Sequence, residues 1–136
     1  MEIGVSQMQG RVPVTVLQPK GRIDGSNYQE VIAAARSAYQ AGARDFLLDL
    51  SAVDYISSAG LVAMHTVAMF TRLGLLPEEE NGWEAFRAID REKQGGPQPH
   101  LKLLGPQPRV EKVLTMAGMD QYLEVFTDLE TAVNAF

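Results

Sequence analysis

Two adjacent serines, Ser57-Ser58, lie between an apolar run that reads as a strand and another that reads as a helix. Their setting suggests chemistry more than their letters do. A loop beyond the carboxyl end of a parallel strand is where α/β sheets present reactive groups. The start of the following helix offers unpaired N–H groups and the positive end of the helix dipole. A phosphate added to either hydroxyl would be accepted there, and would bring about −1.5 to −2 charges to an otherwise apolar patch. The plainer alternative is that Ser57 only caps the helix, for a gain of about 1 kcal/mol, with Gly60 permitting close backbone approach. On chemistry alone both readings stand.

Other chemistries are poorly supplied. Ser58-Ala59-Gly60 half-matches a nucleophile elbow, but Ile56 occupies its first glycine position. The two imidazoles are His65 and His100. His65 falls inside an apolar helical pattern and reads as a packed residue, whereas His100 follows Pro97-Gln98-Pro99 and is expected to face solvent. The absence of cysteine removes thiolate metal sites, disulfides and a thiol nucleophile. No His-x-x-x-His spacing occurs. Gly21 to Gly25 lacks both the dinucleotide fingerprint and a phosphate-loop lysine. The expectation is a protein that is not an enzyme and needs no cofactor or metal.

The chain of 136 residues is 46% hydrophobic and 21% charged, with a net charge of −5. That is the profile of one globular domain spanning 1–136. Scattered basic residues and an acidic balance argue against nucleic acid and anionic membrane as partners. The N-terminus lacks the order of a signal peptide, and no apolar run approaches the roughly 20 residues of a membrane span. A cytoplasmic protein acting on another protein is expected.

The elements that must hold the serines follow from periodicity. Glu2 to Gln9 alternates loosely, Gly10-Arg11 reads as a hairpin turn, and Val12 to Leu17 as a strand with Val12, Val14 and Val16 on one face. Pro13 belongs at that strand's start or on an unpaired edge. Gly21 to Gly25 reads as a loop. Ser26 with Gln29 resembles a capping box for a helix carrying Tyr28, Val31, Ile32, Ala35 and Tyr39 inward, ended by Gly42. Asp45 to Leu50 reads as a covered central strand. The Asp54 to Leu61 segment reads as the loop that displays the serines. Leu61 to Leu73 is apolar nearly all round and is ended by Gly74. Leu101 to Leu104 reads as a strand, Pro108 opens a helix ended by Gly118, Leu123 to Phe126 is a short strand, and Asp128 caps a last helix. Hairpin first and crossover helices later imply an α/β fold. Its mixed sheet has about five strands, antiparallel at the start and then parallel, packed by about four helices. Residues from about 76 to 99, between two breaker-rich stretches and containing Trp83, Phe86 and Ile89, read as an insertion before the fourth strand, outside the core.

Tyr55-Ile56-Ser57-Ser58-Ala59-Gly60-Leu61 resembles the signature of the STAS family, named for sulfate transporters and anti-sigma factor antagonists. Gly21-Arg22-Ile23-Asp24 resembles that family's glycine-x-leucine-aspartate segment. Pro106 to Val110 and Met116 to Met119 resemble its late helix and following turn. These segments occur in the family's order over nearly the whole chain. The resemblance implies a bacterial switch that binds an anti-sigma serine kinase of the histidine-kinase-like ATPase fold while unphosphorylated. Phosphorylation of a loop serine releases it, and a metal-dependent serine phosphatase restores it. Laid on the family's Asp-Ser-Ser/Thr-Gly-Leu pattern, Ser58 takes the acceptor position and Ser57 replaces the aspartate, with Ser57 the alternate acceptor. The implied docking residues are Asp24, Gly25, Ser26, Ser57, Ser58, Ala59, Gly60, Leu61 and Val62. The competing reading within the same fold is an interaction or scaffold module of a larger regulatory or transport assembly, never phosphorylated.

Overall fold

The computed structural model describes residues 1–73 and 98–136. The inserted segment expected around 76–99 falls almost wholly outside the described residues, as does Gly74 as the stop of the preceding helix.

The first hairpin forms as its alternation implies. β1 (Ile3–Gln9) pairs antiparallel with β2 (Pro13–Pro19), and Pro13 opens the second strand opposite Gln9. β3 (Gly21–Ile23) and α1 (Tyr28–Gln40) follow, then β4 (Phe46–Asp49), β5 (Val53–Ile56) and α2 (Ser58–Leu73). After the undescribed residues come β6 (Leu101–Leu104), α3 (Pro108–Met116), a 3-10 turn (Met119–Gln121), β7 (Val125–Phe126) and α4 (Leu129–Asn134). The main sheet has five strands in the order β1-β2-β4-β6-β7, with every pair after the first parallel. A crossover carrying a helix joins each parallel pair, as that geometry requires.

Alternation along the strands divides the core into two layers. Leu17, Phe46, Leu48, Leu101 and Leu103 turn toward α1, α2 and α3, where Val31, Ala35, Met64, Val67, Val110 and Leu114 complete the larger cluster. Val14, Val16, Leu47 and Leu104 turn to the other face, which Ala132 and Val133 of α4 cover. Lys102 shares that second face. It is buried, bonded to Glu124 at 2.7 Å, and lies 5.1 Å from the ring centre of Phe136.

Three expectations about these elements need correction. Gly21 to Gly25 is not all loop, because Gly21–Ile23 is β3. The Asp54 to Leu61 segment is not all loop either, because Val53–Ile56 is β5. These strands pair parallel with each other in a separate two-stranded sheet. Three- and four-residue strands carry too little alternation to be seen against their turn-forming neighbours. Helix α2 also begins at Ser58, three residues before the expected Leu61.

Candidate functional site

The two-stranded sheet is the platform of the site. Its register sets Ile23 beside Ile56, both almost fully buried. Ser57 N–H donates to the Ile23 carbonyl at 2.9 Å, extending the ladder by one rung. The Asp24 turn and the Ser57-Ser58 turn therefore leave the platform side by side. Gly60 seats α2 on it. A Cβ there would collide with Ile56 Cγ1 and stand 2.9 Å from Ile56 Cδ1 and 3.1 Å from Ile23 Cγ2. Only a bare backbone permits this approach.

The Asp24 turn is closed by its own side chains. Asp24 Oδ1 accepts from the Ser26 N–H at 2.9 Å and from the Ser26 hydroxyl. Asn27 Oδ1 accepts from the Asp24 N–H at 2.9 Å, while Asn27 Nδ2 donates to the Arg22 carbonyl at 2.8 Å. Arg22 Nε lies 3.2 Å from Asp24 Oδ2, and its guanidinium carbon stands 4.8 Å over the Tyr55 ring. The Ser26 hydroxyl and N–H, followed by the Arg22 charge, hold the Asp24 carboxyl below its ordinary value. Ser26 is thus not the helix cap expected of it. Asn27 stands at the cap position and makes no side-chain cap bond, since its side chain and the Ser26 hydroxyl are both committed to the turn.

The serines differ in access. Ser57 precedes α2, and its carbonyl accepts from the Leu61 N–H at 3.2 Å. Its Oγ is buried with no hydrogen-bond partner among the described residues, so side-chain capping is not its role. Ser58 is the first residue of the helix and is exposed. Of the other residues expected to dock a partner, Gly25 and Ser26 are exposed, Asp24, Ala59, Leu61 and Val62 are half-buried, and Gly60 is buried. Sequence reasoning passed over Arg22, Asn27 and Tyr55. Recognising Gly21–Ile23 as a strand would have brought out Arg22 and Tyr55, which the register sets opposite each other.

Neither imidazole reaches the serines as a base. His65 is fully buried, with Nδ1 2.7 Å from the Tyr122 hydroxyl, as its helical pattern implied. His100 keeps part of its side chain open to solvent, as expected, and its Nδ1 also lies 2.9 Å from Asp45 Oδ1. Among the described residues no His/Cys/Asp/Glu cluster could hold a metal ion, and no helix is long and apolar enough to cross a membrane.

A family model of the STAS domain matches residues 6–73, half of the chain. No curated protein matches it. Solved structures share the fold at low identity. An anti-sigma factor antagonist from Mycobacterium paratuberculosis is 16% identical with a TM-score of 0.66, covering 98% of this chain and 93% of that one. A Thermotoga maritima protein proposed to be an anti-sigma factor antagonist is 17% identical with a TM-score of 0.66, covering 96% and 90%. SpoIIAA, a cell fate determinant of Bacillus solved in its phosphorylated form, is 15% identical with a TM-score of 0.53, covering 98% and 97%.

Proposed function

The chain belongs to the STAS domain family, and on that premise we propose that it is an anti-sigma factor antagonist-like switch regulated at Ser58. The observation that carries this reading is the unequal access of the two serines. Ser58 is exposed on the first turn of α2, while Ser57 Oγ is buried. A kinase must reach the hydroxyl it modifies, which favours Ser58 over the alternate Ser57. A phosphate on Ser58 would meet the unpaired N–H groups of the first helical turn and change the charge of the surface around it. SpoIIAA, which has this fold, exists in unphosphorylated and phosphorylated forms, and supplies the parallel.

In this reading Asp24, Gly25, Ser26, Ser58, Ala59, Leu61 and Val62 form the docking face, and Ser57 and Gly60 set its geometry. The unphosphorylated face binds an anti-sigma serine kinase of the histidine-kinase-like ATPase fold. Phosphorylation releases it, and a metal-dependent serine phosphatase resets it. The domain itself catalyses nothing.

Intact-mass measurement with fragmentation, on protein purified from its native host, tests the modification. Phosphate on Ser58 is expected. Binding to the cognate kinase tests the consequence: Ser58→Ala binds persistently, and Ser58→Asp binds more weakly by about 1–3 kcal/mol through an unpaired interfacial charge. Equal affinity for wild type and both variants, with no phosphate under any growth condition, would overturn the switch. It would leave the unphosphorylated scaffold, the reading that serine in place of the family's aspartate at position 57 favours.

A further inference from the structure

The outer edge of the main sheet lacks the features that normally keep such an edge single. β1 is seven residues long, Ile3-Gly4-Val5-Ser6-Gln7-Met8-Gln9, with neither a charge nor a proline. Exposed edge strands ordinarily carry lysine, proline or a bulge that prevents another strand from adding. Here the register with β2 runs unbroken from Ile3 to Gln9, and Val5 and Met8 are 56% and 39% exposed.

The hydrogen bonds at the two ends of the hairpin fix which backbone groups point outward. Lys20 N–H donates to the Glu2 carbonyl at 3.0 Å, and Gly10 N–H donates to the Val12 carbonyl at 3.2 Å. Even-numbered residues therefore bond toward β2. By the alternation of an antiparallel ladder, Ile3, Val5, Gln7 and Gln9 aim their N–H and C=O groups away from the sheet. Among the described residues no strand pairs with that side of β1.

We propose that a second copy of this chain covers this edge, β1 against β1 in antiparallel order about a two-fold axis at Ser6. Outward groups occupy odd positions, so only registers that set odd residues against odd ones satisfy them. The register centred on Ser6 is the one that pairs all seven residues: Ile3 with Gln9, Val5 with Gln7, Gly4 with Met8, and Ser6 with Ser6. No position opposes like charges, because the strand has none. On the sheet face shared with Val14 and Val16, Met8 of each copy lies over Gly4 of the other. Gly4 itself raises no side chain on that face, and Gln18 is its neighbour there, with Cβ 3.7 Å from where a Gly4 Cβ would stand. Gly4 lines a cleft with Ser6, Met8, Val16 and Leu129. The symmetry repeats this fit of large against absent side chain at both ends of the pair. One strand pair covers less than the roughly 800 Å² per partner of a standard interface, so the dimer is weak and concentration-dependent.

Because the chain has no cysteine, Ser6→Cys provides a single reporter thiol. Directly opposed residues of a non-hydrogen-bonded antiparallel pair hold their Cα atoms about 4.5 Å apart, within the range of a disulfide. In Gln9→Cys the two thiols would be roughly 20 Å apart along the strands. Mild oxidation is expected to give a covalent Ser6→Cys dimer at least about tenfold faster than Gln9→Cys. Sedimentation of the wild type is expected to reveal a reversible dimer that Ser6→Lys abolishes without lowering the melting temperature. Equal oxidation rates at the two positions would overturn the proposal. So would a dimer that survives Ser6→Lys, or a wild type that stays monomeric to about millimolar concentration and leaves the edge to a strand of another protein.

Discussion

At the scale of single residues, Gly60 shows how a functional signature can have a packing cause. It lies three residues before the inward-facing Ala63 of α2, and its missing side chain lets that helix rest on Ile56 and Ile23. The same contact places Ser58 at the start of the helix, so the serine's exposure and the glycine's burial are one arrangement. Gly60→Ala would force a methyl into space held by Ile56, and overpacking of this kind costs about 1–3 kcal/mol. A urea titration is expected to show the midpoint falling by a corresponding amount. Gly25→Ala serves as the matched control, since nothing lies within 4 Å of its Cβ position; its midpoint should move by no more than about 0.5 kcal/mol. Similar losses at both glycines would mean that close packing at Gly60 is not what holds α2 in place.

At the scale of elements, α4 is short and depends on its cap and its seat. Asp128 Oδ2 accepts from the Thr131 N–H at 2.9 Å and the Thr131 hydroxyl at 2.8 Å. Those two bonds hold its carboxyl below the ordinary aspartate value. The folded state then binds fewer protons than the unfolded state between the two pKa values, so stability rises with pH in that interval. The contribution is fully present above the unfolded value of 3.8 and is lost as pH falls through the lower folded one. Asp24 has the same sign. Melting curves taken from neutral pH to about pH 2 should show a shallower acid decline for Asp128→Asn than for wild type; identical declines would contradict the cap's role. This cap was legible in the sequence because Asp128 directly precedes an amphipathic run. The central strands were legible too, since Phe46-Leu47-Leu48 and Leu101 to Leu104 are buried on both faces and read as near-continuous runs. The platform strands β3 and β5 were not, being too short for periodicity. The start of α1 was misread because Asp24 engages the hydroxyl that would have capped it. Of the site, the serine turn and the Asp24 turn were legible as segments. Their adjacency was not, since it rests on the Ile23–Ile56 pairing and one backbone bond from Ser57.

At the scale of the whole molecule, the main sheet and its two layers close using residues on either side of positions 74–97. The chain re-enters at Gln98, which is fully buried and tied to the elements already in place. Its side-chain Nε2 donates to the Ala68 carbonyl at 2.5 Å and to Thr71 Oγ1 at 3.2 Å, both on α2. Its N–H donates to the Tyr122 carbonyl at 2.7 Å, and its Oε1 accepts from the His100 N–H at 2.6 Å. The point of re-entry is thus fixed within a side chain's reach of the last turns of α2, where the chain departs. A six-residue Gly/Ser bridge, roughly 20 Å when extended, is long enough to join Leu73 to Gln98. Shortening a 24-residue connection to six is two halvings, each lowering the closure entropy by about 0.6 kcal/mol. The bridged protein is therefore expected to fold cooperatively and to melt at or slightly above the wild-type temperature, with Ser58 still open to modification. Calorimetry together with phosphorylation by the cognate kinase would check both halves. A bridged chain that loses its cooperative transition would show that residues 74–97 supply part of the core. One that folds but is no longer recognised would place them in the partner interface, and the sheet, the two turns and α2 would then be only part of the docking face.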